Sequence, residues 1–259
     1  MNKTKTILIY NDADSKTCSA ELSLALQNTF KHCDNVAIVH SDRHHLVRNI
    51  NELNPDIIVL PEIKGEESFY SRHIPIETRN RIKSQVENGS MLVSFCAGAY
   101  WMAEQITYHP PKGITKMRDG VHVFNAAAIK AFGPVSGYWR SSNGKEDLGG
   151  CIPVPLRVNT VDGTQNETVW YGNGPAFYPL KNKLPENIEI LAEYSDVEEY
   201  PIAAFALRHG QGQYLASGPL AHYHRAPVRP NNYLWSVITH RMHQHLFAKP
   251  KVDMVCVPA

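Results

Sequence analysis

The sequence predicts an α/β protein: a mainly parallel central sheet with helices on both faces, making three layers, and an antiparallel β extension. Two observations predict it. In the first hundred residues, short uninterrupted apolar runs alternate four times with amphipathic or polar segments. Strands covered on both faces read as continuous runs of this kind, and the segments between them supply the covering helices. Beyond about residue 150, β-like runs follow one another with turn residues and no helix between them, the pattern of antiparallel pairing.

Each element has its own signal. Lys5–Tyr10 (KTILIY) is an apolar run closed by the polar turn Asn11-Asp12-Ala13-Asp14. Residues Ser15 to Phe30 carry helical spacing, with Leu22, Leu24, Ala25 and Phe30 as the stripe. Val36–His40 is the second strand, followed by a Ser41/Asp42 cap signal and a polar helix to Leu53. Asp56–Leu60 is the third strand, closed by Pro61; Glu77–Asn88 is a charged helix stopping at Gly89. Met91–Phe95 is the fourth strand, and Ala97–Gln105 is expected to form a helix directly after it. Tyr108–Gly150 is rich in Gly, Pro, Ser and aromatic residues. Then come strand-like Pro155–Val161, Glu167–Tyr171 and Ile188–Tyr194, a hairpin of Ile202–Arg208 and Gln213–Ser217 around His209-Gly210-Gln211-Gly212, and a helix from about Asn232 to Phe247. No repeat or long linker divides the chain, so one domain is expected over residues 1–248 with a tail at 249–259.

Composition narrows the function classes. The 259 residues carry 26 basic and 25 acidic side chains, a net charge of 26 − 25 = +1. That balance speaks against a nucleic-acid binder, which needs a basic face to displace counterions. No apolar window reaches membrane-spanning length, and the opening apolar run is too short for a signal-peptide core. Cys18, Cys33, Cys96, Cys151 and Cys256 are odd in number, widely spread and without a CxxC pair. They suggest neither a disulfide framework nor a zinc site, and point to a reducing, cytoplasmic setting. His240, His243 and His245 lie near the end, but no carboxylate joins His240 and His243 at ligand spacing, and His44-His45 sit on a polar helix that needs no function, so no metal or cofactor is expected.

Cys96 stands apart from the other thiols. The apolar run Met91–Phe95 enters it directly, and Ala97, Gly98 and Ala99 follow. A sharp strand-to-helix turn flanked by small residues is how a nucleophile is held in strained geometry. A helix N-terminus there would favour the thiolate, and the Ala97 N–H is placed for an oxyanion. In an open α/β sheet, ligands bind beyond the carboxyl ends of the strands, where the residues after Tyr10, Leu60 and Phe95 share one edge.

These residues carry a resemblance. Ser94-Phe-Cys96-Ala-Gly98-Ala-Tyr100 resembles the elbow of class I glutamine amidotransferase-like proteins. More narrowly, the chain is similar to the domain at the N-terminus of biotin-protein ligases. Leu60-Pro61-Glu62 lies where the superfamily usually has Pro-Gly-Gly, and Val169–Phe177 with its Gly-Asn173-Gly174-Pro segment and Gly212–Pro219 resemble that family's later motifs in order. The resemblance implies a flavodoxin-like three-layer sandwich. It implies no ligase activity, because the Gly-Arg-Gly-rich adenylate loop is absent. The superfamily commonly places His-x-Glu after this last motif to complete a Cys–His–Glu triad; here the slot reads Leu220-Ala221-His222. Pro61-Glu62-Ile63 likewise replaces the usual Gly-Gly.

The expected catalytic residues are therefore Cys96, His222 and Glu62. Ala97, Gly98, Tyr100, Asn173, Gly174 and His224 are expected to shape the oxyanion site or pocket. The expected activity is attack by Cys96 on an amide or acyl small-molecule substrate, in a protein free to form a homodimer. The competing expectation is a module that binds a small molecule or protein, keeping the elbow without the triad. A subunit delivering ammonia to a synthetase is a third.

Overall fold

The computed structural model describes residues 3–12, 19–63, 70, 74–108, 116–119, 127–135, 137–138, 151–180, 183–199, 201–223 and 232–247. In these residues the strands are β1 Lys5–Tyr10, β2 Val36–Ser41, β3 Ile57–Leu60, β4 Met91–Phe95, β5 Ala103–Tyr108, β6 Lys116–Asp119 and β7 Ala127–Gly133. They continue with β8 Ile152–Thr160, β9 Gly163–Tyr171, β10 Ala176–Pro179, β11 Ile188–Tyr194, β12 Ile202–His209 and β13 Gly212–Ser217. The helices are α1 Ser19–Phe30, α2 Leu46–Leu53, α3 Ile76–Glu87 and α4 Tyr233–Phe247.

Strands β2, β1, β3, β4 and β13 lie side by side in that order, all parallel. Counted along the chain this is the order 2-1-3-4-5 of a flavodoxin-like sheet. The antiparallel portion begins at β12, which pairs β13 on one side and both β10 and β11 on the other. From there one branch runs through β7, β5 and β6, and a second through β8 and β9.

Alternation along each strand explains the layers. Ile7, Ile9, Ile57, Val59, Met91 and Val93 face a core closed by Leu22 and Leu26 of α1 and Leu234 and Ile238 of α4. Their neighbours Leu8, Ile58, Leu60 and Leu92 face a second core under α2 and α3, closed by Leu46, Ile50, Ile82 and Val86. Successive side chains point to opposite faces, so a run that is apolar at every position must be covered twice.

The expected strands at the parallel edge and the β12–β13 hairpin are present. Gly210 turns that hairpin at φ +59°, and a Cβ there would lie 2.7 Å from the Glu87 carbonyl. One expectation is corrected. Residues Ala97–Gln105 do not form a helix: Ala99–Met102 make a single 3-10 turn and β5 starts at Ala103. Pairing decides this, because β5 hydrogen-bonds β7 in parallel and β6 antiparallel, and that outweighs the segment's helical composition. Strands β6, β7 and β10 carry no sequence signal that had marked them. No helix among the described residues is long and apolar enough to cross a membrane. The tail at 249–259, Cys18, Cys256 and His224 lie outside the described residues.

Helix α4 is capped from a distant strand. The buried Glu167 of β9 accepts the amides of Tyr233 (3.1 Å) and Leu234 (2.8 Å). Burial pushes its carboxyl pKa up, and the amides of Leu234, Tyr233 and Asn232 pull it back. Glu167→Ala removes the cap and leaves those amides without it, so urea unfolding is expected to show a loss of about 1–3 kcal/mol; an unchanged midpoint would contradict the capping role.

Candidate active site

The parallel ladders deliver the elbow. Leu60 pairs Ser94 on one side of β4, and Ser217 pairs Phe95 on the other. The ladder runs one residue further, with the Cys96 amide donating to the Ser217 carbonyl at 2.9 Å. The chain then turns sharply, with Gly98 N–H donating to Phe95 O (2.9 Å) and Ala99 N–H to Cys96 O (3.0 Å). Cys96 takes φ +47° to make the turn, a left-handed conformation that costs a residue with a Cβ on the order of 1–3 kcal/mol. Gly98 is required by proximity, since a Cβ there would sit 2.8 Å from the Leu60 carbonyl. The Ala97 amide makes no hydrogen bond to any described residue. It stands directly after the thiol, where an oxyanion donor belongs. With a four-residue 3-10 turn in place of the expected helix, little macrodipole is available to the sulfur.

A loop held by side chains covers the thiol. Cys96 Sγ donates to Gly172 O at 3.1 Å. The next three carbonyls are also taken: Tyr100 Oη donates to Asn173 O (2.9 Å), Tyr171 Oη to Gly174 O (2.7 Å) and Tyr194 Oη to Pro175 O (3.0 Å). Tyr171 in turn accepts the Val135 amide at 2.7 Å. Gly174 passes so close to Gly218 that a Cβ would stand 2.0 Å from the Gly218 carbonyl. Asn173 and Gly174 thus lie next to the thiol's acceptor, with their backbone carbonyls turned onto Tyr100 and Tyr171.

Glu62 and His222, 160 residues apart in sequence, meet on the same edge. His222 Nε2 lies 3.4 Å from both carboxylate oxygens of Glu62, with the hydrogen-bond geometry met at Oε1. Tyr223 Oη donates to the same Oε1 at 2.6 Å, the short distance of a bond to a charged acceptor. All three residues are buried. The imidazole packs edge-on against Phe95 (4.8 Å between centroids) and Tyr223 (4.8 Å). Glu62 Oε2 and His222 Nδ1 are buried and make no hydrogen bond, a cost in free energy that native interiors seldom leave in place.

The structure brings Glu62 and His222 together and sets Phe95, the residue before Cys96, against the imidazole. It does not hydrogen-bond His222 to the Cys96 sulfur. Leu220, in the superfamily's histidine slot, bridges Trp170 through its amide (2.8 Å) and packs in one group with Cys96, Trp170 and Tyr223. Tyr223, Tyr171 and Tyr194 were not singled out from sequence. Tyr223 lies between two histidines that were, and Tyr171 lies in the Val169–Phe177 motif. Among the described residues no three of His, Cys, Asp and Glu gather in a group able to hold a metal.

The parallel part of the sheet runs 2-1-3-4-5, and its central strand ends on a cysteine in a left-handed turn. The sequence matches the family Biotin-protein ligase, N terminal, over residues 5–248, and the chain belongs to that family. No curated protein sequence matches it. Among solved structures, Gan42B, a GH42 β-galactosidase from G. stearothermophilus, superposes with TM-score 0.55 at 10% identity, covering 94% of this chain and 30% of that one. This chain therefore spans under a third of that enzyme. A putative ThuA-like protein from Bacteroides uniformis gives TM-score 0.51 at 12% identity over 97% and 95% of the two chains. A glutamine amidotransferase gives 0.46 at 18% identity over 93% and 97%. For Gan42B and the ThuA-like protein the likeness is one of fold alone.

The tyrosines make a pH prediction. Burial first, then neighbouring tyrosines and Cys96, hold the Tyr100 and Tyr194 phenols well above their usual range. Burial does the same for Tyr171 against the pull of the Val135 amide. The folded state keeps these protons where the unfolded chain releases them near pH 10, so their contribution is intact below that pH and lost above it. The loss is up to roughly 1.4 kcal/mol per pH unit for each phenol. Urea unfolding at pH 9, 10 and 11 is expected to show this fall, and Tyr171→Phe to shallow it by about one proton's worth. An unaltered slope in the variant would contradict the assignment.

Proposed function

We propose that the protein is a cysteine-dependent hydrolase acting on an amide or acyl substrate, with Cys96 as nucleophile, His222 as proton relay and Glu62 orienting the imidazole. The observation that carries the reading is the backbone of Cys96, at φ +47° on the end of a central strand with the unbonded Ala97 amide beside it. Strain retained at a strand end in a site-forming edge is the mark of a functional position.

In this mechanism Cys96 Sγ forms a bond to the substrate carbonyl carbon as its proton passes to His222 Nδ1, the nitrogen that Glu62 leaves unengaged. The Ala97 N–H receives the charge developing on the carbonyl oxygen. Collapse breaks the bond to the leaving group, which takes the proton from His222. Water then hydrolyses the thioester by the reverse use of the same imidazole. For this, His222 moves toward the sulfur on substrate entry, as catalytic hydrogen bonds commonly tighten only in the substrate complex. A reducing, cytoplasmic compartment goes with such a thiol.

A second reading has an observation of its own. The Cys96 thiol donates to the Gly172 carbonyl, an arrangement that favours the protonated form, and Leu220 packs where the superfamily's histidine stands. Both suit a binding module that kept the elbow.

Timed labelling with iodoacetamide and peptide mapping separates the two. Cys33 and Cys151 are more exposed than Cys96, so accessibility alone would label them first. The hydrolase reading expects Cys96 to be modified ahead of both. It also expects Cys96→Ala to abolish acyl release from p-nitrophenyl acetate, and His222→Asn to slow it about 10²–10⁴-fold. Labelling in order of exposure would favour the binding module.

A further inference from the structure

Cys96 has a second thiol for a neighbour. Ile152 of β8 pairs Tyr171 of β9, and one step beyond that pair the register sets Cys151 across from Gly172. The Gly172 carbonyl is the acceptor of the Cys96 thiol, 3.1 Å away. A Cβ built on Gly172 would lie 3.2 Å from Cys151 Sγ and 3.2 Å from Leu220 Cδ1. Cys151 therefore turns its sulfur over the bare glycine, toward the group formed by Cys96, Trp170, Leu220 and Tyr223, against which it packs. Both cysteines are outside any disulfide. The residue between them is the one type that puts no side chain in the way, and Cys151 keeps partial access to solvent while Cys96 is buried.

We propose that Cys151 is a resolving cysteine for Cys96, and that hydroperoxides switch the site reversibly between a dithiol and a Cys96–Cys151 disulfide. The inference rests on the reading of Cys96 as the reactive thiol. In the first step the Cys96 thiolate attacks the peroxide; an S–O bond forms and the O–O bond breaks. The sulfur is oxidised to sulfenic acid, and the peroxide is reduced to an alkoxide or hydroxide that takes up the thiol proton. In the second step the Cys151 sulfur attacks the Cys96 sulfur. An S–S bond forms, the S–O bond breaks, and hydroxide leaves with the Cys151 proton as water. Without a resolving thiol, a sulfenic acid is open to irreversible oxidation to sulfinic acid. The Gly172 segment must yield for the sulfurs to close to bonding distance, and the Cys96–Gly172 hydrogen bond is lost in doing so. Oxidation would thus rearrange the loop over the site as well as consume the nucleophile.

The test treats the full chain with hydrogen peroxide and maps its peptides without reduction, alongside Cys151→Ser, Cys33→Ser and an iodoacetamide-labelled sample. The expected result is a Cys96–Cys151 cross-linked peptide that dithiothreitol removes. It should persist in Cys33→Ser, and in Cys151→Ser it should be replaced by Cys96 sulfinic acid accumulating several-fold faster. Cys96 that labels with iodoacetamide but oxidises to sulfinic acid at the same rate with and without Cys151 overturns the resolving role and leaves the nucleophile standing. Cys96 that neither labels nor oxidises overturns both. Pairing of Cys151 with Cys18, Cys33 or Cys256 instead also overturns the proposal.

Discussion

The hydrogen bond from the Cys96 amide to the Ser217 carbonyl is the constraint on which the site depends. It carries the β4–β13 ladder one residue past the end of the strand. The chain must then turn within a single residue to avoid the β3 end, where the Leu60 carbonyl already crowds Gly98. A left-handed Cys96 is the result. Because β3, β4 and β13 are buried between two apolar cores, the strain is spread over a large cooperative body and is not relieved locally. The position of the thiol, the unbonded amide after it and the tight turn beyond all follow from that one extra rung.

Around this fixed point the other groups arrive from separate strand ends. Glu62 comes from the end of β3 and His222 with Tyr223 from the segment after β13; the carbonyls of Gly172–Pro175 come from the segment after β9. The carboxylate follows β3 by two residues, the imidazole follows β13, and Leu220 packs against the cysteine. Tyr223 ties the two segments together by donating to Glu62 Oε1. Two buried polar atoms, Glu62 Oε2 and His222 Nδ1, make no hydrogen bond to any described residue. A folded core tolerates such atoms when their partner arrives with a ligand or in a reaction step.

Much of this was legible in the amino-acid sequence, for physical reasons that also mark where legibility stopped. Strands β1, β3 and β4 are buried on both faces, so apolar residues dominate both faces of their sequences and mark them as strands. Cys96 and Gly98 declare themselves because a strand followed at once by small residues leaves few conformations open. The expected helix over Ala97–Gln105 misled because its small and polar residues suit a helix, whereas β5 from Ala103 is fixed by pairing with β7, some twenty residues on, and with β6. Glu62 and His222 could be placed on one edge from topology, but their contact spans 160 residues and depends on side-chain directions that no local pattern encodes. The same holds for the three phenols that take successive carbonyls of the Gly172–Pro175 loop. Each tyrosine reads as ordinary core until the loop is seen threading between them.

The central claim is that the turn at Cys96 presents a nucleophile and an oxyanion donor to the same carbonyl group. A crystal structure with a small aldehyde bound tests it most directly. The account predicts a hemithioacetal on Cys96 Sγ with its oxygen about 2.7–3.1 Å from the Ala97 nitrogen, and His222 drawn toward the sulfur. An adduct on Cys33 or Cys151 with Cys96 unmodified, or a Cys96 adduct whose oxygen points away from the Ala97 amide, would contradict it.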